Sequence, residues 1–344
     1  MDQGKRLTIK ELAKQIGVSA ATLDRVLNNR GNVKRQTYEK VMAKINELNY
    51  RPNRSASFLS RMNVYSLAVV FPEHPAYFWK QVEKGIQIAV DEFRDYGLQV
   101  RIFRSDKYDL DSQKQIVQQL VDSGEYDAIA LSPNDPQEMA DLIDRAVDRG
   151  TAVCTFNSDS PLSKRLFYVG CDYRIAGRLA ADALCKFVRD GSKVGVIMSY
   201  TNFQMQQKIT GFREVVTEYD QIEMVGPLKL SQEDYLSPEA FADYFREVDG
   251  IYVSSARLDI VAEYLENLGL AKPPVLIGHD MTEETYRFLQ KGVVTATICQ
   301  DPVNQGYLTV KSMFNYLASG DKLAIKENIT KLELVTKENA RYYI

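Results

Sequence analysis

Apolar positions along the first fifty residues recur at helical intervals. Ile9, Leu12, Ala13 and Ile16 fall at i, i+3, i+4 and i+7, which places them on one face of a short helix. Thr8 stands where an N-cap belongs, and Glu11 three residues on completes a capping box. Gly17 ends the run and permits a left-handed turn. Ser19 caps a second predicted helix. Its inner face is Leu23, Val26 and Leu27, and its outer face carries Ala20, Ala21, Asp24, Arg25 and Asn28. A third helix is predicted from near Lys34, with Tyr38, Val41, Met42, Ile45 and Leu48 at helical spacing. Pro52 breaks it, and Asn53 is placed to cap a short helix that follows.

Beyond about residue 63 the period changes. Short apolar runs read as strands at Tyr65–Phe71, Gln99–Phe103, Ala128–Leu131, Ala152–Phe156, Leu166–Val169, Lys193–Met198, Gly250–Val253, Val275–Gly278 and Thr295–Cys299. Helical patterns such as Trp79–Tyr96, Asp111–Ser123 and Gln137–Arg149 lie between them. Alternating β and α elements predict doubly wound parallel sheets, so an all-α headpiece precedes an α/β body. Ligands in such sheets bind beyond the carboxyl ends of the strands. Neither a G-x-G-x-x-G after the first strand nor a P-loop is present, which disfavours a nucleotide cofactor. No cofactor is expected.

Charge separates the two regions. Residues 1–62 hold 13 Lys and Arg against 5 Asp and Glu, a net +8, whereas the remainder holds 30 against 41, a net −11. A basic module on an acidic body points to phosphate backbones as the module's partner. Two short helices joined at a glycine turn, the second one capped, are also the sequence form of a helix-turn-helix DNA reader. Helical spacing alone would suit any small three-helix module.

Catalysis finds little support. His74 and His279 are the two histidines, far apart in sequence. Cys154, Cys171, Cys185 and Cys299 lack C-x-x-C spacing, so neither zinc nor a disulfide framework is indicated, and no metal site is expected. They read as buried thiols in a reducing cytoplasm. The absence of a signal-peptide pattern and of a span-length apolar run leads to the same expectation.

The segment Leu7–Asn28, the Asn28-Asn29-Arg30-Gly31 loop and the Arg51-Pro52-Asn53 sequence together resemble the lac-repressor family of transcriptional regulators, in order and at matching spacing. The resemblance implies roles. Ala20, Ala21 and Arg25 would face bases, Arg25 through a bidentate bond to guanine. Ser19, Thr22 and Asn28 would contact phosphates, and Thr8 would belong to the same DNA-binding set. Asn53, Ala56 and Leu59 would belong to a hinge helix over 53–62, with Leu59 wedged into the minor groove; the alternative for Leu59 is a linker residue packed on the core. Asp24 departs from the family, standing where a phosphate-contacting serine is common. It would read a cytosine amine or brace Arg25.

The remainder resembles the periplasmic sugar-binding fold in its ribose-binding branch. The matching stretches are Asp127–Pro136, Thr155–Asp159, Tyr168–Asp172 with Ala176–Ala181, and Ile277–Asp280. The implied domains are a headpiece over 1–52, a hinge over 53–62 and an effector-binding and dimerisation domain over 63–344. That domain would have an N-lobe at about 63–168 and 301–329 and a C-lobe at about 169–300 and 330–344. Phe78 and Trp79 occupy the slot where relatives stack aromatics on a sugar ring; both would equally suit core packing at a helix start. Asp280 matches an acidic residue that binds sugar hydroxyls, or else caps the helix opening at Met281-Thr282-Glu283. Gln300 matches a hydroxyl-binding amide. Asn157 and Ser158 replace an Asp-Arg pair, Lys208 falls near a usual arginine, and Ser255 falls where an asparagine is usual. These departures argue against plain ribose and for a larger or modified sugar, with Lys208 able to meet an acidic group. His279 would touch the ligand or serve the strand end.

The resemblance implies a regulator, most commonly a repressor released by sugar, reading a roughly palindromic double-stranded operator as a homodimer. Without a leucine heptad at Tyr342-Tyr343-Ile344, a dimer is expected over a tetramer. The competing reading is a sugar-binding or sugar-processing protein with an incidental basic N-terminus. It predicts ligand binding or turnover without salt-sensitive DNA affinity.

Overall fold

A computed structural model describes residues 9–27, 31, 33–48, 63–106, 109–198, 202–229, 239–255, 257–319 and 326–344. The chain divides into two compact units, Met1–Asn63 and Val64–Ile344.

In the first unit, helices α1 (Ile9–Ile16), α2 (Ala20–Leu27) and α3 (Arg35–Glu47) enclose a small core of Leu12, Ala13, Ile16, Leu23, Val26 and Val41. Gly17 turns the chain between α1 and α2 at φ +76°, a conformation that a side chain would strain. The apolar stripe expected on α3 is narrower than its spacing implies. Val41 is buried, but Tyr38 and Leu48 are 39% and 36% exposed, because two helices of eight residues cannot cover a longer third. The Thr8 cap and the predicted hinge helix over 53–62 lie outside the described residues.

Among the described residues the second unit holds two six-stranded sheets. The first runs β11-β5-β4-β3-β1-β2 and is parallel throughout, built from β1 (Tyr65–Pro72), β2 (Leu98–Ser105), β3 (Ala128–Leu131), β4 (Ala152–Phe156), β5 (Tyr168–Gly170) and β11 (Glu327–Ile329). The second runs β12-β10-β9-β8-β6-β7, from β6 (Lys193–Met198), β7 (Glu223–Lys229), β8 (Gly250–Val253), β9 (Val275–His279), β10 (Ala296–Cys299) and β12 (Glu333–Val335). Each sheet is covered on both faces, so its central strands are apolar at successive positions rather than alternate ones. In β1, Leu67, Val69 and Phe71 pack under α4 (Ala76–Phe93) and α12 (Pro302–Ser319). Ala68 and Val70 pack on the other face, under α5 (Leu110–Ser123) and α6 (Ala140–Asp148). The second sheet lies between α7 (Tyr173–Phe187) with α8 (Phe203–Val216) and, opposite, α9 (Glu239–Glu247), α10 (Leu258–Asn267) and α11 (Glu283–Lys291).

The doubly wound pattern is present, with one departure. β12 pairs antiparallel with β10 at the sheet edge. Strands β7, β11 and β12 escaped the sequence reading. β7 contains Gly226-Pro227, which a central strand would not tolerate; it lies at an edge, where a missing N–H costs no ladder bond. The chain passes between the sheets at 171–172, 300–301 and 330–332. Among the described residues no helix is long and apolar enough to cross a membrane.

Candidate functional site

Helix α2 presents a small, capped, exposed face. Ser19 Oγ accepts the Thr22 backbone N–H at 3.0 Å and lies 2.8 Å from Thr22 Oγ1, so the predicted cap forms. Ser19, Ala20, Ala21 and Arg25 are exposed and Thr22 is half-buried, while Leu23 and Val26 point inward. The α2 backbone includes Asp24. Thr8, Asn28, Asn53, Ala56 and Leu59 lie outside the described residues.

The second site lies in the body, at the carboxyl ends of the strands of both sheets. A cavity of about 240 Å³ opens there. From the first sheet it is bounded by His74 and Phe78 after β1, Ser132 and Asn134 after β3, and Asn157 and Ser158 after β4. From the second come Asn202 and Gln204 after β6, Ser254 and Ser255 after β8, His279 and Asp280 at β9, and Gln300 after β10.

All eight residues predicted for the cleft line this cavity: Phe78, Trp79, Asn157, Ser158, Lys208, Ser255, Asp280 and Gln300. They differ in how much of each is already engaged. Asp280 sits at φ +67°, a left-handed backbone that turns its carboxyl toward the crossover. Its Oδ1 accepts Gln300 Nε2 at 2.9 Å, and its Oδ2 accepts Tyr77 Oη at 3.3 Å. Burial pushes this carboxyl above the usual carboxylate range, against the opposing pull of Gln300, Lys208 and Tyr77. Asp280 does not cap α11. Thr282 does, its side chain accepting the Thr285 N–H at 3.0 Å.

Asn157 is largely a structural joint. Its carbonyl accepts Tyr168 Oη at 2.9 Å, Tyr173 Oη at 2.6 Å and Gln204 Nε2 at 3.3 Å, and its Nδ2 donates to Gln305 Oε1 at 3.3 Å. These bonds tie the end of β4 to α7, α8 and α12. Trp79 has a double role. It bounds the cavity, yet it stacks on Phe71 with ring centroids 4.9 Å apart and donates Nε1 to the His74 carbonyl at 3.1 Å. Phe78 meets it edge-on. Ser158 and Ser255 are buried. Lys208 is buried, donates Nζ to the Ser254 carbonyl at 3.0 Å and lies 5.7 Å from the Tyr173 ring. Its place depends on two glycines. A Cβ at Gly177 would come within 1.8 Å of the Lys208 carbonyl oxygen, and one at Gly211 within 2.0 Å of the Arg174 carbonyl, so α7 and α8 meet backbone to backbone.

Several lining residues were missed in sequence: Ser132, Asn134, Tyr173, Asn202, Gln204 and Ser254. Their common signal is position, on the segments one to six residues past a strand's carboxyl end. Buried Gln113 holds this rim, accepting the Asn134 N–H at 2.8 Å and donating to the Ser132 carbonyl at 3.1 Å. Beyond Phe78, Asp280 and Gln300 the cavity adjoins a wider groove of about 1110 Å³, reaching Tyr342 and Tyr343. The four cysteines are buried, and burial raises the Cys171 thiol to about 12 and the Cys185 thiol to about 11.

Comparison with known proteins addresses both units. Residues 8–53 match the family described as bacterial regulatory proteins, lacI family. Residues 67–322 match the periplasmic binding protein domain. Catabolite control protein A of Staphylococcus xylosus is 25% identical over 216 residues, 62% of each chain. The HTH-type transcriptional regulator RegA of Clostridium acetobutylicum is 32% identical over 139 residues, 39% of this chain and 40% of its own. The chain thus spans about three fifths or less of these relatives, which are regulators rather than enzymes. Among solved structures, a LacI transcriptional regulator from Bacteroides fragilis superposes with TM-score 0.74 at 24% identity, covering 82% of this chain and 100% of that one. The glucose-galactose binding protein GanP of Geobacillus stearothermophilus superposes with TM-score 0.70 at 26% identity, covering 80% and 99%.

Proposed function

Because the chain belongs to the lacI family of bacterial regulatory proteins, with a periplasmic binding protein domain as its body, we propose that it is a cytoplasmic, sequence-specific repressor of transcription whose operator affinity is set by a small sugar or sugar derivative. Two copies reading a roughly palindromic operator account for the size of the reading face, since one short helix addresses only a half-site. Arg25 takes a guanine through paired hydrogen bonds, Ala20 and Ala21 pack on thymine methyls, and Ser19 and Thr22 lie toward phosphates.

One observation carries this reading. A capped helix with an exposed small-residue and arginine face occurs in the same chain as a buried polar cavity formed by both sheets. In that cavity Asp280 and Gln300 accept and donate to hydroxyls, and Phe78 offers an aromatic edge to a sugar's C–H face. The effector acts by changing closure of the two sheets, which alters the geometry of the paired copies and the order of the hinge.

The test is selection of DNA from a random double-stranded pool by the purified chain at near-physiological salt, alone and with a panel of sugars. An enriched palindrome whose retention changes with one sugar is the expected result. Sugar binding without any enriched sequence would favour the competing sugar-binding reading.

A further inference from the structure

The cavity of about 240 Å³ does not end at a closed wall. Phe78, Asp280 and Gln300 bound it and also bound the groove of about 1110 Å³, so the two hollows meet along these residues. Helix α4 and the start of α12 form one side of the groove, and the first turns of α10 and α11 form the other.

Asp280 stands at the boundary. Its Oδ1 accepts Gln300, which lines both hollows, and its Oδ2 accepts Tyr77 Oη, which lines the groove alone. A carboxylate has about four lone-pair sites, so each oxygen retains room for a further hydroxyl. One ligand can therefore use Asp280 from both hollows.

The groove has its own means of holding a sugar ring. Tyr343 is half-buried beside Glu333, Cys299 and Asp301, which brings the segment 342–344 to the end of β10, next to Gln300. There Tyr342 lines the groove and is 72% exposed. Arg341 lies over its ring, 4.8 Å from the centroid, and the exposure leaves ring surface for a sugar's C–H face. Among the described residues that line the groove, Asp and Glu outnumber Lys and Arg six to three. Such a wall accepts hydroxyl hydrogens and repels phosphate or uronate.

Resting on the sugar-effector reading above, we propose that the effector is a neutral disaccharide astride Asp280, with one unit in the cavity against Phe78 and the second in the groove against Tyr342. The groove then sets the length of the sugar that the chain senses, and Tyr342 is a specificity-determining residue for the second unit.

Calorimetry on the full chain tests this. Cellobiose, maltose, lactose and melibiose are compared with D-glucose and D-galactose. At least one disaccharide should bind about tenfold tighter than either of its component sugars. The 6-phosphate of that disaccharide should bind more weakly, and tighter binding would overturn the assignment of a neutral ligand. Tyr342→Ala removes an exposed ring, so the fold should persist while the ratio of disaccharide to monosaccharide affinity narrows. An unchanged ratio would overturn the placement of the second unit. Monosaccharides binding as tightly as the disaccharides that contain them would overturn the proposal and leave the sugar-regulator reading standing. Silence from the whole panel would overturn it too, and DNA selection would then judge the broader reading separately.

Discussion

The two units place their chemistry on opposite kinds of surface. Among the described residues the headpiece core has six buried side chains, and Ser19, Ala20, Ala21 and Arg25 of its candidate reading groups are exposed. The body has cores on both faces of two sheets, and its candidate binding groups are buried in a cavity. Their charges differ as well, net +8 over residues 1–62 and net −11 over the rest. A surface that meets a rigid polyanion needs exposed donors and positive charge, and an acidic body discourages DNA from settling elsewhere. A site for a small hydroxylated molecule needs enclosure and paired donors and acceptors, because water competes for every hydroxyl. A small core supporting an exposed site is also fragile, whereas a doubly covered sheet tolerates polar groups at its strand ends.

Leu23→Ala should have the largest effect. Leu23 is fully buried in the headpiece core, and its truncation should remove about 2–5 kcal/mol, enough to melt a module this small. Calorimetry should show the body's transition unchanged while DNA binding disappears. A shift in the body's transition would break the contrast between the units. Asp280→Ala comes next. Loss of a buried carboxylate that bonds the ligand should weaken effector binding by about 1.5–3 kcal/mol and leave the free protein's DNA affinity nearly intact. An effector response of undiminished strength would remove Asp280 from the site.

Arg25→Ala should cost about 1–3 kcal/mol at one base pair and relax specificity there, measured by competition with single-base operator variants. A uniform loss over all sequences would make Arg25 a phosphate contact instead. Ser19→Ala should cost the headpiece about 1 kcal/mol through the lost cap on α2, read as a lower headpiece melting temperature.

Dependence on pH should be the smallest effect, confined to the body. The His279 pKa is depressed on folding, so its contribution is present above the unfolded value of about 6.5 and lost as pH falls below it. The Asp280 pKa is raised, so its contribution is present below about 3.8 and lost as pH rises through the folded value. His279→Leu should flatten the body's stability curve below pH 6.5, and Asp280→Asn should flatten it above pH 3.8. Unchanged slopes would mean that neither group is titrated as its burial implies.

The sequence made some of these features legible and hid others. Helices α1 and α2 were readable because Leu12, Ile16, Leu23 and Val26 repeat at helical spacing and Ser19 and Gly17 mark the turn. Asp280 and Gln300 were readable from strand ends and a matching motif. Gln113 and Gln305 were not, because a buried amide that braces a loop leaves no local pattern. Tyr77, which reaches from α4 to Asp280 across 203 residues of sequence, was hidden for the same reason. The apolar length of α3 overstated its burial, since spacing reports a face but not whether anything covers it. The division of Asn157 between structure and ligand also came only from coordinates, where three donors converge on its carbonyl.

The central claim is that a ligand in the body cavity controls DNA reading by the headpiece. Fluorescence anisotropy of the selected operator, titrated with the full chain with and without saturating effector, tests it most directly, with Asp280→Ala as the companion. A change in operator Kd of about 5–150-fold in the native chain, absent in the variant, is the predicted result. Equal Kd values with and without a ligand that calorimetry shows to be bound would contradict it.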